Sequence, residues 1–535
     1  MSRTAFCTLF LALLIIGLAF RLGRLDLRPM HHDEANEAVK FGMLLETGEY
    51  HYDKNDHHGP TLYYLTLPSA WARGQKSLAA LDEWTLRVVP AAFGLGTILL
   101  LVFLAKGLGR EAAVLSALFA ALSPVLTYYS RFYIQESLFA FFALGFLITL
   151  GRYALRPHAG SALAAGIFAG LVYATKETSI IIFAAAGAGC VLALVSTRRI
   201  CRLTHEQERK GGKWDADAGR VRRRTAHALT GLSGAVFIAV IFYSSFFRYP
   251  GEILESVRAF QGYAVRGAEP GFHAHPWHYY AQMLAFSRSG GLVWTEGMVL
   301  ALALIGMGFA FKNAHAKTEP NPASAGQRFW PRYLCFYSLL AAVIFSVIRY
   351  KTPWNVLPFH IGFILLAGWG AAELLKRAWS SLGRKLLLIL LLAGCCHLGI
   401  QNWNANYRYP ADPRNPFVYA QTSPDFLRLV KRIHDLSAVH PEGVDMLIKV
   451  VAAPYEQWPL PWYLRNLRRV GYWIDAAGAG GFDGVPVIIA SQENAGVLES
   501  VLGDRFQAEF YGLRPDVILT VFIDRSLWER FLRER

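Results

Sequence analysis

The chain has 535 residues, 54% of them hydrophobic and only 17% charged, with a mean hydropathy of +0.28. Soluble domains carry about 25% charged residues, so a wholly water-soluble protein does not fit, and the length suits a polytopic membrane domain plus one further domain. The formal charge of +15 would suit a nucleic-acid partner, but the Lys and Arg residues gather in alternate loops, which is a topology signal, and nucleic acid drops out.

The first apolar run, Thr4–Phe20, has no small-residue cleavage site before Arg21 and reads as a retained transmembrane helix rather than a signal peptide. Further runs suited to a bilayer are Val88–Ala105, Ala112–Tyr129, Leu138–Leu150, Ser161–Ala174, Ser179–Ser196, Ala228–Phe247, Leu292–Phe311, Tyr333–Ile348, Leu357–Leu374 and Leu386–Ile400. The expected architecture is therefore a polytopic α-helical membrane domain, residues 1–400, with about eleven transmembrane helices and a large first loop, 21–87.

Lys106 and Arg110, Arg152 and Arg156, the run from Arg198 to Arg224, Lys312 and Lys317, and Lys376 to Lys385 lie on one side of that topology. The positive-inside rule makes this side, with the N-terminus, cytoplasmic. The opposite side receives 21–87, 130–136, the Lys176-Glu177 turn, 248–290, 349–356 and the tail after 401. The outward segments hold none of the six cysteines, so they carry no disulfide framework.

The 401–535 tail changes character. A Pro/Asn-rich passage leads to a helical stretch, Asp425–Leu436, and then to short β-like runs at Met446–Val451, Val470–Ile474, Val485–Ala490 and Val517–Ile523. Helical stretches at Asn494–Leu502 and Ser526–Arg533 alternate with them, which predicts a small extracytoplasmic α/β domain. Trp458-Pro459-Leu460-Pro461-Trp462-Tyr463-Leu464-Arg465 is an aromatic segment suited to local packing, or else to a membrane surface or an acceptor.

Chemistry concentrates at the outward ends. His31-His32-Asp33-Glu34 opens a stretch in which Ala35, Ala38, Val39, Gly42 and Leu45 share a helical face, with a stop at Thr47-Gly48. An acid at a helix start is ordinarily a cap. Here more ionisable groups recur at the other outward turns: Asp53, Asp56, His57 and His58, then Arg131 and Glu136, Lys176 and Glu177, and Arg349 and Lys351. Ionisable groups at the ends of apolar helices point to a functional cavity, although each Arg or Lys could instead snorkel to headgroups. Tyr63, Tyr64 and Trp354 are candidate substrate-binding rings beside them. Imidazoles and carboxylates together suit a divalent ion. His31, His32 and His57 are the candidate ligands for Mn, Mg or Zn, but no short zinc-enzyme motif is present.

The run from Asp33-Glu34 through Thr47-Gly48-Glu49-Tyr50, followed by His57-His58-Gly59-Pro60-Thr61-Leu62-Tyr63-Tyr64, resembles the first outward loop of the GT-C glycosyltransferases. The nearest branch is the protein O-mannosyltransferase and aminoarabinose transferase type. Arg87-Val88-Val89-Pro90, the Arg131 to Glu136 turn and Lys351-Thr352-Pro353-Trp354 resemble later landmarks. The His-Gly-Pro and Lys-Thr-Pro-Trp variants look most like the flippase-associated subfamily. The resemblance covers residues 1 to about 375, and it departs where the family's Lys before Pro-Pro is replaced by His58-Gly59.

The resemblance implies an inverting transferase that moves a sugar, hexosyl- or mannosyl-like, from a polyprenyl-phosphate donor in a bacterial or archaeal plasma membrane. The acceptor would be a protein, lipid or glycan hydroxyl. Asp33 would be the base, with Glu34 and Glu136 assisting. Arg131, Lys176, Arg349, Lys351 and His58 would be the candidates for the donor phosphate. The rival reading is a transporter or flippase component for a lipid-linked sugar; it predicts inverted repeats, and no repeat stands out in this sequence.

Overall fold

The computed structural model describes residues 1–55, 58–202, 214–268, 271–312, 322–378 and 380–534. They form two compact units. The first comprises Met1–Gly23, Tyr50–Leu65 and Arg87–Arg408; the second comprises Arg24–Glu49, Thr66–Leu86 and Tyr409–Arg535.

Among the described residues, eight helices are long and apolar enough to cross a membrane: Arg3–Leu22, Glu83–Leu108, Glu136–Leu155, Ser179–Thr197, Arg222–Tyr243, Gly326–Val347, Pro353–Arg377 and Ser381–Arg408. A ninth would be the bent pair Arg110–Leu122 and Pro124–Ser130, which meet at 61°. The remaining two apolar helices, Ala159–Tyr173 and Gly297–Lys312, are shorter, so helix length and composition do not by themselves confirm the expected count of eleven spans. Two of the expected runs change form. Ala112–Tyr129 is broken because Pro124 disfavours the helical conformation at the residue before it, and Ser123 is extended with ψ 120°. Leu292–Phe311 starts later than its apolar character suggests. Its first residues form a strand, β2 (Leu292–Trp294), paired with β1 (Ser287–Ser289), and the helix begins at Gly297.

The Leu357–Arg377 helix is the core of the first unit. Most of its residues are buried, and it packs on the Gly297–Lys312, Arg110–Leu122 and Pro322–Val347 helices. Up to Ala372 it is apolar on nearly every side, as a helix surrounded by others must be.

The tail contributes five strands to one sheet: β3 (Ile448–Val451), β4 (Val470–Trp473), β5 (Val487–Ser491), β6 (Phe506–Arg514) and β7 (Val517–Asp524). Their order is β4-β3-β5-β7-β6, with β3 parallel to both β4 and β5, and β7 antiparallel to β5 and β6. Every residue of β5 is buried because both faces of the sheet are covered. Val487 and Ile489 face Phe426, Leu429 and Ile433 of the Phe426–Val439 helix, while Ile488 and Ala490 face Leu498 and Leu502. The expected α/β character is present, with β6 as an added strand. The fold class is thus a polytopic α-helical protein with a small C-terminal α/β unit.

Candidate functional site

In the second unit, the helix bearing Asp33 spans His32–Thr47, and its N-cap is His31. His31 Nδ1 accepts the Asp33 N–H at 3.0 Å, while the Glu34 carboxylate accepts the His31 N–H at 3.0 Å. This is a capping box with an imidazole where a hydroxyl usually sits. Arg28 stands 3.8 Å from Glu34, and both are buried. At the other end Gly48 takes φ +69°, the left-handed conformation that closes a helix, and donates its N–H to Leu44. The buried face carries Ala35, Ala38, Phe41, Gly42 and Leu44, so Val39 and Leu45, which were expected on it, lie off it.

The box separates the two acids. Glu34 is wholly buried and caps the helix, whereas the Asp33 side chain is 41% exposed. The stretch before them is stitched to the tail. Met30 N–H donates to Tyr463 Oη at 2.8 Å, Thr422 Oγ1 donates to Met30 O at 2.7 Å, and Gln421 Nε2 donates to Pro29 O at 2.8 Å. Arg514, which donates to Tyr455 O at 2.6 Å, is near enough to feel the Asp33 charge. Trp462 is buried with its Nε1 donating to Glu83, and the Arg465 guanidinium lies 3.8 Å over its ring. The aromatic segment therefore packs within this unit.

The geometry removes His31 as a metal ligand. His31 Nε2 lies 2.9 Å from the Tyr419 carbonyl, so this nitrogen carries the proton, and the Nδ1 lone pair is taken by the Asp33 N–H. Burial holds the ring below its ordinary pKa, against the pull of Asp33, and no lone pair remains for an ion. The His32 ring lies 6.0 Å from that of Trp458, and His57, with Asp56, lies outside the described residues. Among the described residues no group of three or more His, Cys, Asp or Glu is placed to hold a metal.

In the first unit the His58-Gly59-Pro60 motif has a steric reason. Gly59 lies flat on the 174–175 backbone, where a Cβ would overlap the Ala174 carbonyl. Gly59 N–H donates to Thr175 O at 3.2 Å, Thr61 N–H donates to Ala174 O at 3.4 Å, and the Thr61 and Thr175 hydroxyls meet at 2.9 Å. This seating brings His58 Nδ1 to 2.7 Å from Glu177 Oε2 and 2.9 Å from Tyr263 Oη. Tyr52 Oη donates to the other Glu177 oxygen at 3.4 Å. Burial alone would lower His58, but the Glu177 charge and hydrogen bond outweigh it and hold the imidazole above its ordinary value. Burial would likewise raise Glu177, and His58 overrides it and keeps the carboxyl low. The two form an ion pair.

Beside it, Lys176 Nζ pairs with Glu136 Oε1 and lies 3.4 Å from Asn355 Oδ1. Glu136 Oε2 is buried without a hydrogen-bond partner among the described residues. Arg131 points at backbone: Nη1 donates to Gly23 O at 2.6 Å and also to Phe20 O and Arg21 O, with its guanidinium 4.6 Å from the Tyr407 ring. Lys351, only 1% exposed, donates to His275 O at 2.9 Å and to Ile348 O. Burial lowers its pKa. Arg349 is exposed, and its carbonyl accepts the His275 N–H. Tyr63 is buried 4.9 Å from the Tyr50 ring, Tyr64 meets Phe246 at 5.0 Å, and Trp354 packs on Tyr129 and Phe132.

Glu136, Lys176, His58, Arg131, Lys351 and Trp354 thus belong to the first unit, and Asp33 and Glu34 to the second. Sequence reasoning missed Tyr263 and Tyr52, which carry no motif. It also missed Glu296, an acid inside a nominal transmembrane run, where such a residue is itself a signal.

Residues 51–249 match the family described as Dolichyl-phosphate-mannose-protein mannosyltransferase. No curated protein matches the chain by sequence. Among solved structures, ArnT from Cupriavidus metallidurans bound to undecaprenyl phosphate is similar at a TM-score of 0.63 and 16% identity, over 98% of this chain and 99% of that one. The Archaeoglobus fulgidus oligosaccharyltransferase in its apo form is similar at 0.55 and 12%, over 99% of this chain and 77% of that one. The same enzyme in a complex with Zn and sulfate matches at 0.51 and 12%, over 98% and 76%. The chain is an integral membrane protein with the fold of these GT-C glycosyltransferases.

Proposed function

We propose that this GT-C-fold membrane protein transfers a sugar from a polyprenyl-phosphate donor to an acceptor hydroxyl, on the extracytoplasmic side of the membrane. Nucleotide sugars are absent from that side, so a donor anchored in the bilayer is the chemically available one. ArnT, whose fold this chain shares across nearly its whole length, was solved with undecaprenyl phosphate. The acceptor oxygen bonds to the anomeric carbon while the bond from that carbon to the phosphate oxygen breaks. The acceptor's proton passes to Asp33 as general base, and the polyprenyl phosphate leaves with the negative charge. Inversion follows from a single displacement.

The observation that carries this reading is the division of labour in the acidic pair. Glu34 is spent on the capping box and cannot serve as base without unfastening the helix, while Asp33 is held at a fixed helix start with its carboxylate exposed. Lys351 and Lys176 are the candidates for the leaving phosphate, because cations are needed where charge develops. Glu136 Oε2 offers an acceptor for a substrate hydroxyl. Arg131, Tyr63 and Trp354 act as walls. Asp33→Asn is expected to leave the protein folded and membrane-embedded while reducing transfer in proteoliposomes by at least about 100-fold, the lower range for a lost general base. Turnover close to wild type would remove Asp33 from the role.

A further inference from the structure

A helix broken inside a membrane domain exposes donors on one half and acceptors on the other, with no water to satisfy them. The Arg110–Leu122 and Pro124–Ser130 halves meet at such a break; Ser123 Oγ caps the Leu126 N–H locally at 3.4 Å, and further partners come from far away in the chain. On the donor side, Glu296 accepts the Val125 N–H at 3.1 Å and the Ser123 hydroxyl at 2.9 and 3.1 Å. The Glu296 carboxylate receives a third donor, His360 Nε2, at 2.9 Å. On the acceptor side, Asn402 Nδ2 lies 3.2 Å from Leu122 O, 3.4 Å from Ala121 O and 3.0 Å from Thr127 Oγ1. Arg21 Nη2 donates to Ala120 O at 3.0 Å.

Glu296, His360 and Ser123 are all buried. Glu296 is also fixed at its own backbone: its N–H donates to Leu284 O at 2.8 Å, and its carbonyl accepts from Val299 and Leu300 at the start of the Gly297–Lys312 helix. The break is therefore held between two rigid supports, a carboxylate that takes its donors and an amide that serves its acceptors. Its far end matters chemically. The Pro124–Ser130 half runs into Arg131, and Ser137 Oγ, one residue past Glu136, donates back to Tyr129 O at 3.1 Å.

We infer that Glu296 is a positioning residue for the reacting centre. It sets the angle of the broken helix and, through it, the placement of Arg131 and of the Glu136–Lys176 pair. The inference rests on the transferase reading for its kinetic consequence but not for its structural one. Glu296→Gln keeps the size of the side chain and replaces one acceptor oxygen with an NH2 group, which cannot accept the Val125 N–H and can be seated only if the Ser123 hydroxyl turns or His360 takes its other tautomer, so the three-donor grip on the carboxylate is lost. Glu296→Asp keeps the charge on a shorter arm.

The test has two readouts on the full-length protein in lipid nanodiscs. Hydrogen exchange of the 125–131 amides is expected to rise at least about tenfold in Glu296→Gln, with the 448–451 and 487–491 strand amides unchanged, and to return most of the way in Glu296→Asp. Sugar transfer is expected to show kcat reduced about tenfold or more at nearly constant donor KM. Unchanged exchange at 125–131 overturns the inference whatever the activity. Raised exchange with wild-type kcat also overturns it, because the break would then be loosened without consequence. If the wild-type chain transfers no sugar while exchange rises as expected, the transferase reading fails and the clamp stands.

Discussion

Gly59→Ala isolates the steric argument for the His-Gly-Pro motif. Gly59 does not sit at positive φ, so alanine is conformationally allowed, and the whole effect comes from the added methyl. That methyl would overlap the Ala174 carbonyl, a backbone atom that cannot rotate aside. Relief requires the 58–61 segment to lift from the 174–175 turn, which gives up the Gly59–Thr175 and Thr61–Ala174 backbone bonds and the Thr61–Thr175 hydroxyl contact. At about 1 kcal/mol net for each hydrogen bond, the loss is about 3 kcal/mol. Separating His58 from the buried Glu177 adds to it. The assay is thermal unfolding of the purified protein in detergent beside sugar transfer in proteoliposomes. The expected result is a lowered midpoint with transfer falling further than the folded fraction does. A Gly59→Ala protein as stable and as active as wild type would refute the close-packing argument and the placement of His58 that depends on it.

The His58–Glu177 pair predicts a stability window in pH. The raised His58 contributes stability that is fully present below its ordinary pKa and is lost as pH rises through its folded value; the depressed Glu177 contributes stability that is lost as pH falls through its folded value. Unfolding midpoints of wild type should decline on both sides of the window, and Glu177→Gln should remove both limbs; limbs that persist in Glu177→Gln would assign them to other groups. Lys351→Met should weaken binding of a polyprenyl phosphate about tenfold or more while leaving the folded protein at least as stable, because it removes a buried cation that no carboxylate among the described residues offsets. Isothermal titration with the donor lipid measures it, and unchanged affinity would take Lys351 out of the phosphate site.

Most of the helical framework was legible because apolar runs of bilayer length have few other physical uses. What stayed hidden was where a run stops being helix. Ser123-Pro124 is embedded in apolar sequence on both sides, and Leu292–Trp294 is as hydrophobic as the helix that follows it, so hydropathy merges what the backbone separates. The tail shows the same limit. β5 is buried on both faces and reads as one apolar block, while β6, Phe506–Arg514, buries only Tyr511 and Leu513 and interrupts its apolar residues with Gln507, Glu509 and Gly512. In the site, the Asp-Glu pair was conspicuous, but the sequence could not tell which acid caps the helix. That choice depends on His31 taking the N-cap, which puts Glu34 at the third helical position, where a carboxylate can reach back to the cap.

The basic residues were visible one by one, but their partners were not, and the partners decide what each can do. His58 and Lys176 each face a buried carboxylate, so within the first unit their charges are largely cancelled. Arg131 spends Nη1 on the carbonyls that end the first helix, which fixes it as a joint in the wall. Lys351 differs from these. Its ammonium is buried and meets two carbonyl dipoles, which satisfy two of its three N–H donors, and among the described residues no carboxylate cancels its charge. A buried cation in that state is stabilised by any anion that reaches it, and a lipid phosphate brings its own anchoring chain and so reaches it from the bilayer. Charge accounting therefore ranks Lys351 first for the leaving phosphate. It leaves Lys176 the task of holding Glu136 in place, with one ammonium donor not taken up by the described residues.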